Sequence, residues 1–295
     1  MKTIRNFLFK PTDPTVVSLY RIIFGGFMIY QMIYYFQLDY TFQFMAGPQL
    51  VFGYEGLPSL PVLPLGVLKI IHVLLLISTI CITIGFWYRA AMGVFFIGFT
   101  YFSFIDKTLY NNHLYLISLI AFIMFFSKAD AAYSVRAKRG RHIPFLPAWN
   151  QYLLIFVIAL PYFFGGIAKL SSNWLKTGLV RELLTATPNS FIKRLFSEDV
   201  LVAFVTYGGL VYDLVIVWLL LFKRTRVIGV ILVFVFNVTN NSFLFNDIGI
   251  FPFFMIASTI LFFGPTKTKK CIAKIFPGKK EKKLSKKQKK KIAKK

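Results

Sequence analysis

Eight runs of apolar residues, at about 16–38, 66–87, 90–105, 112–127, 150–168, 199–222, 226–240 and 246–264, decide what this chain can fold into. In lipid the backbone has no water to bond with, so a run that crosses must close its hydrogen bonds within a helix. A crossing takes roughly 20 residues, and several of these runs are shorter, which fixes their ends only to within a turn. With 57% hydrophobic and 16% charged residues in 295 positions, an ordinary soluble domain is excluded. The expected fold is all-α: a polytopic transmembrane bundle of about eight spans over residues 1–265, followed by a lysine-rich disordered cytoplasmic tail, 266–295.

Charge orients the bundle. The net charge of +24 is uneven, with 15 of the 35 Lys and Arg lying after Pro265. Beyond Phe276 that tail has no aromatic residue on which bases could stack, so no nucleic-acid partner is expected. A solvated tail that clings to anionic membrane lipid fits better. The N-terminal segment, Arg89, the loop 128–148, the Lys223–Arg226 turn and the tail fall on one side if every span crosses once, and together they hold 27 of the basic residues. The positive-inside rule then places both termini in the cytoplasm. In a bacterial cell the membrane is the plasma membrane, and the opposite, extracytoplasmic face receives 39–65, 106–111, 169–198 and 241–245. Cys81 and Cys271 give neither a disulfide framework nor a metal spacing, so no metal is expected. Met1–Thr15 is polar and basic, unlike a cleavable signal peptide.

A few polar residues stand inside or at the ends of these runs. Lys169 closes the run Ala159–Ala168 and is followed by Trp174, an aromatic residue common at membrane boundaries. An amine there is poorly hydrated, which disfavours its charged form and suits a base or nucleophile. The alternative is a lysine whose head reaches the headgroups while its stem lies in lipid. Asn111, Asn112 and His113 open the fourth span, where an imidazole serves equally as a helix-end partner or as a functional group. Arg21 and Asp213 lie within spans and need partners, either as an ion pair or in separate networks. Asn237, Asn240 and Asn241 end the seventh span, where amides bridge helices or orient a polar ligand. By depth alone, His113, Tyr162, Lys169 and the asparagines share the outer third of the bundle, and a common lipid-accessible pocket there would suit an amphiphilic ring substrate.

These residues also carry a family resemblance. Pro11-Thr-Asp-Pro14 with Ser18-Leu-Tyr-Arg21 and Gly85-Phe-Trp-Tyr-Arg89 resembles the start of the vitamin K-dependent gamma-glutamyl carboxylases. Asp106-Lys-Thr108 with Asn111-Asn-His113-Leu-Tyr115 is similar to a further segment of that family. So are Tyr162, Gly166-Ile-Ala-Lys169-Leu170 and Trp174. Ser197-Glu-Asp199, Gly208-Gly209 with Asp213, and Ile248-Gly-Ile-Phe251 follow in the same order. The resemblance covers roughly residues 11–265, which makes the chain look like the family's membrane module (HTTM, carboxylase-like).

What the resemblance implies is a reaction. Lys169 would deprotonate reduced vitamin K or another quinol, with His113 hydrogen bonding at the reacting centre. Oxygen would convert the quinol to its epoxide while a protein glutamate or peptide loses a gamma proton and takes up CO2. Tyr162, Asn112, Asn237 and Asn241 would line the site for the lipid quinone. The chain departs from the family where Asn237 replaces a histidine and where Ile155 and Val157 stand in place of Arg and Gln. It also lacks the large extramembrane domain that grips the glutamate substrate. These departures suit the alternative, a non-enzymatic relative that binds lipid or peptide as an immunity or export partner.

Overall fold

A computed structural model of the chain describes residues 2–56, 58–186, 195–244 and 249–275. Each of the eight apolar runs is helical. After a short amphipathic α1 (Lys2–Leu8) come α2 (Thr15–Gln37), α3 (Leu65–Ile84), α4 (Tyr88–Phe104), α5 (Asn112–Phe126) and α6 (Trp149–Ala168). Two small helices, α7 (Ser172–Leu175) and α8 (Gly178–Ala186), lead towards α9 (Glu198–Ala203). A π-helical turn, Phe204–Gly208, joins α9 to α10 (Gly209–Leu221), and α11 (Arg226–Thr239), α12 (Phe251–Ser258) and α13 (Pro265–Ile275) follow. Thr15–Gln37, Leu65–Ile84, Trp149–Ala168 and Glu198–Leu221 are long and apolar enough to cross a membrane. The chain is an all-α integral membrane protein. At 1.5 Å per residue the 23 residues of α2 reach about 34 Å, enough for a hydrocarbon core of about 30 Å.

One expectation is corrected at the end of this series. The tail was expected to be disordered from residue 266, but Pro265–Ile275 forms α13, whose buried Thr268 hydroxyl donates to the Gly264 carbonyl at 3.1 Å. A proline fixed at the first helical position, where its missing N–H costs nothing, explains the start. The remainder of the tail, 276–295, lies outside the described residues, as do Asp247 and Ile248.

Short connections hold the helix ends. Gly85 takes φ +68° at the end of α3, a left-handed cap. The Asp106 carboxylate accepts the Thr108 amide at 2.8 Å, and the Asn111 side chain accepts the His113 amide at 2.8 Å, so α5 begins on an asparagine cap. Where α2 crosses α3 the backbones approach at Gly25: a Cβ there would sit 2.2 Å from Thr83 Oγ1 and 3.0 Å from Thr83 Cα. Aromatic rings fill the centre, with Phe24 edge-on to Phe95 at 5.7 Å and to Phe254 at 6.3 Å.

Of the two readings for the charges within spans, Arg21 takes the second. It is fully buried and pairs with no carboxylate among the described residues. Its guanidinium donates to the carbonyls of Ala129 (3.1 Å), Ile82 (2.6 Å), Thr83 (2.7 Å) and Tyr133 (2.6 Å). A planar fork of donors satisfies free carbonyls at the end of α3 and in the loop after α5, which no ammonium reaches together.

The connections gather at two ends. β1 (Pro11–Thr12) pairs antiparallel with β2 (Leu146–Pro147), and the Lys269 ammonium bonds the Asp13 carboxylate. At the other end the Lys107 amide donates to the Phe52 carbonyl at 2.7 Å, and the Lys107 ammonium pairs with Glu55 at 3.0 Å.

Candidate functional site

Lys169 is the first residue past α6, and its side chain meets a carboxylate that comes from α10. The ammonium donates to Asp213 Oδ2 in an ion pair whose side chains keep 20% and 7% of their surface exposed. Glycines make the approach possible. A Cβ at Gly165 would lie 2.9 Å from Asp213 Oδ2, and one at Gly166 would lie 2.7 Å from Leu214 Cδ2, so α6 can press on α10 only with small residues at these places. No carboxylate stands near Lys169 in its own segment; the acid that meets it lies 44 residues further on, across a helix contact that local sequence does not display.

On the Lys169 side of the pair is a cavity of about 350 Å³ between α10, α11 and the π-helical turn. Trp174, Tyr212 and Phe236 give it aromatic walls. The Lys169 Nζ stands 5.3 Å from the centre of the Trp174 ring, within cation–π range, and the Trp174 indole N–H donates to the Thr206 carbonyl at 3.1 Å. Tyr212 stacks on Phe236 with ring centres 3.8 Å apart and is edge-on to Tyr162 at 6.0 Å. The buried Tyr212 hydroxyl has no well-formed hydrogen bond within the protein. The Tyr162 hydroxyl neighbours the Asn237 amide, the Tyr212 hydroxyl and the Asp213 carboxylate. Asn237 is buried, and its Nδ2 donates to the Val233 carbonyl at 2.8 Å. Lys169, Asp213, Tyr212, Tyr162 and Asn237 therefore form one chain of polar groups in an otherwise apolar region.

His113 belongs elsewhere. Its ring stacks on Phe251 at 3.7 Å and lines a different cavity, of about 260 Å³, with Gln31, Tyr34, Tyr35 and Asn111. The expectation of one pocket shared by His113 and Lys169 is thus not met. Depth along a span fixes which end a residue lies at and leaves its position around the bundle open. α5 turns His113 towards α2 and α12, whereas α6 turns Lys169 towards α10. Asn112 lines neither cavity; it is exposed and accepts from the Tyr110 hydroxyl at 2.9 Å. Asn240 lines the Lys169 cavity. Asn241 lines a third one, with Tyr30 and Gly249, which also border the His113 cavity, and its buried side-chain oxygen has no partner among the described residues. Ile155 is half-buried against the core and Val157 is buried in it, so both apolar replacements pack where they stand.

Two site residues escaped the sequence reading in their present role. Asp213 was visible as a lone acid inside a span, which was the signal for a cationic partner. Tyr212 carried none. No cluster of three or more His, Cys, Asp or Glu side chains that could hold a metal ion occurs among the described residues.

A family model of the HTTM domain matches residues 9–266, and the chain belongs to that family. It is the domain of vitamin K-dependent carboxylase-like proteins. No solved structure matches the chain.

Proposed function

We propose that this HTTM-domain protein binds a lipid quinol in the cavity beside Lys169 and removes its hydroxyl proton through the Lys169–Asp213 pair. The observation that carries the reading is that pair, set in an aromatic cavity. The fit is chemical. At about 350 Å³ the cavity falls in the range of small-ligand sites, about 300–1,000 Å³. The rings of Trp174, Tyr212 and Phe236 offer faces to a flat ring.

In the proposed mechanism the Lys169 ammonium first passes a proton to Asp213 Oδ2, and the Nζ lone pair so freed accepts the quinol proton. The pair thereby takes up one proton, ending as ammonium and carboxylic acid, and Asp213 keeps the amine aimed into the cavity. Tyr162 and Asn237 hold Asp213 and Tyr212 in place. A quinol with O2 supplies the oxidising chemistry and the base strength that glutamate carboxylation with CO2 requires. A protein glutamate or peptide is the proposed acceptor. The bundle is proposed to cross eight times with both termini cytoplasmic, which puts the Lys169 end on the extracytoplasmic face. The gathering of the basic N-terminal segment, the 128–148 loop and α13 at one end supports that orientation.

The test is quinone epoxide formed by purified protein supplied with reduced quinone and O2. Lys169→Ala should lower the rate at least about 100-fold, the usual loss on removing a general base. Lys169→Arg should fail as well, because guanidinium does not give up its proton. Lys107→Ala, whose ammonium pairs with Glu55 in a loop, should retain most activity. Unchanged epoxide formation in Lys169→Ala would remove the mechanism. A second reading, a non-enzymatic relative that uses the cavity to hold lipid or peptide, is favoured by the departures at Asn237, Ile155 and Val157. Its signature is no epoxide from the wild-type protein with any reduced quinone.

A further inference from the structure

The Gly85–Arg89 turn and the loop that packs beside it take no part in the quinol site, yet they surround two adjoining cavities of about 250 and 150 Å³. Arg89, Lys128 and Arg136 line the first, and Arg136, Arg139 and Arg141 line the second, with Asp130 common to both. Five cations thus face one carboxylate. Asp130 is committed to Arg136 at 3.0 Å, and Arg89, Lys128, Arg139 and Arg141 make no ion pair among the described residues. The first turn of α4 opens into the same place with no side-chain cap, so its free amides add to the positive field.

We propose that these cavities bind the phosphate of an anionic phospholipid from the adjacent leaflet. Five cations around one carboxylate repel one another, and an anion held by several guanidiniums at once relieves that repulsion. The surroundings select a lipid over free phosphate. Trp87 lines the second cavity, holds a left-handed backbone (φ 43°) that a bulky residue rarely adopts, and stands 77% exposed. Such an indole suits the depth of the headgroups. Beyond it, Ile80 and Ile84 on α3 and Val94 and Ile97 on α4 are exposed along the same helix pair and offer a track for acyl chains. The positive-inside rule explains why cations lie on this side; it does not explain why they converge on two adjoining hollows beside an uncapped helix end.

The experiment uses the full chain, delipidated in detergent, with phosphatidylglycerol, phosphatidylcholine of the same acyl chains, and inorganic phosphate as separate probes. Native mass spectrometry should retain one phosphatidylglycerol and no phosphatidylcholine, and phosphatidylglycerol alone should raise the melting temperature. Arg139→Gln with Arg141→Gln, both exposed, should weaken phosphatidylglycerol binding at least tenfold. Lys267→Gln with Lys270→Gln removes the same charge from α13 and should leave binding unchanged. Equal retention of both lipids, equal loss in the two double variants, or inorganic phosphate binding as tightly as phosphatidylglycerol would each overturn the proposal. Should Arg139→Gln with Arg141→Gln fold poorly, Arg139→Lys with Arg141→Lys provides the second arm: it keeps the charge and should keep most of the selectivity for phosphatidylglycerol.

Discussion

At the scale of single residues, the pairing of Lys169 with Asp213 governs what can be altered. Each charge is tolerable because the other is present, so removing one strands its partner in a poorly hydrated site. Asp213→Ala should cost about 3 kcal/mol of stability, the low end for a buried pair because Lys169 keeps 20% of its surface exposed. Lys169→Met with Asp213→Leu should restore much of that loss, and thermal unfolding of the two single variants and the double variant measures the coupling. Additive losses would mean that the two side chains do not act as a pair. Lys169 itself was legible in the sequence, because one ammonium at the end of an apolar run needs an explanation. Its partner was not, since the contact joins two helices and depends on Gly165 and Gly166 letting them meet. Arg21 shows the converse: its burial could be read from the run around it, while its four carbonyl partners lie 61 to 112 residues away.

At the scale of helices, hydrophobic runs translate directly into elements, because lipid leaves the backbone no alternative to the helix. That is why all eight runs were found and why their ends moved by only a few residues. What the pattern does not carry is rotation about each axis, and rotation is what sends His113 and Lys169 into separate cavities. Close-packed glycines fix rotation locally, and Gly25 offers a clean measurement. Gly25→Ala drives a methyl into Thr83, backbone atoms included, and should cost about 1–3 kcal/mol by overpacking. Gly26→Ala, with open space at its Cβ position, should be neutral or slightly stabilising through its better helix propensity. Equal melting temperatures for the two variants would contradict the α2–α3 crossing.

For the whole molecule, the test is sidedness. If the bundle crosses eight times, cysteines introduced at 138–141 should react with an impermeant reagent only after the membrane is opened. Those at 176–181 should react in intact cells. Labelling of both segments from the same side would rule out the eight-span arrangement. The charge distribution alone proposes this orientation, whereas the strand pair that ties residue 11 to residue 147 had no sequence signal, being two residues long and bordered by prolines. That small sheet and the Lys269–Asp13 contact impose a schedule on synthesis. The first helix leaves the ribosome with both of its tethers still unmade: one arrives with β2 and the other only with α13. Until then the N-terminal segment is a lodger without a lock, and the bundle is closed by its last described helix.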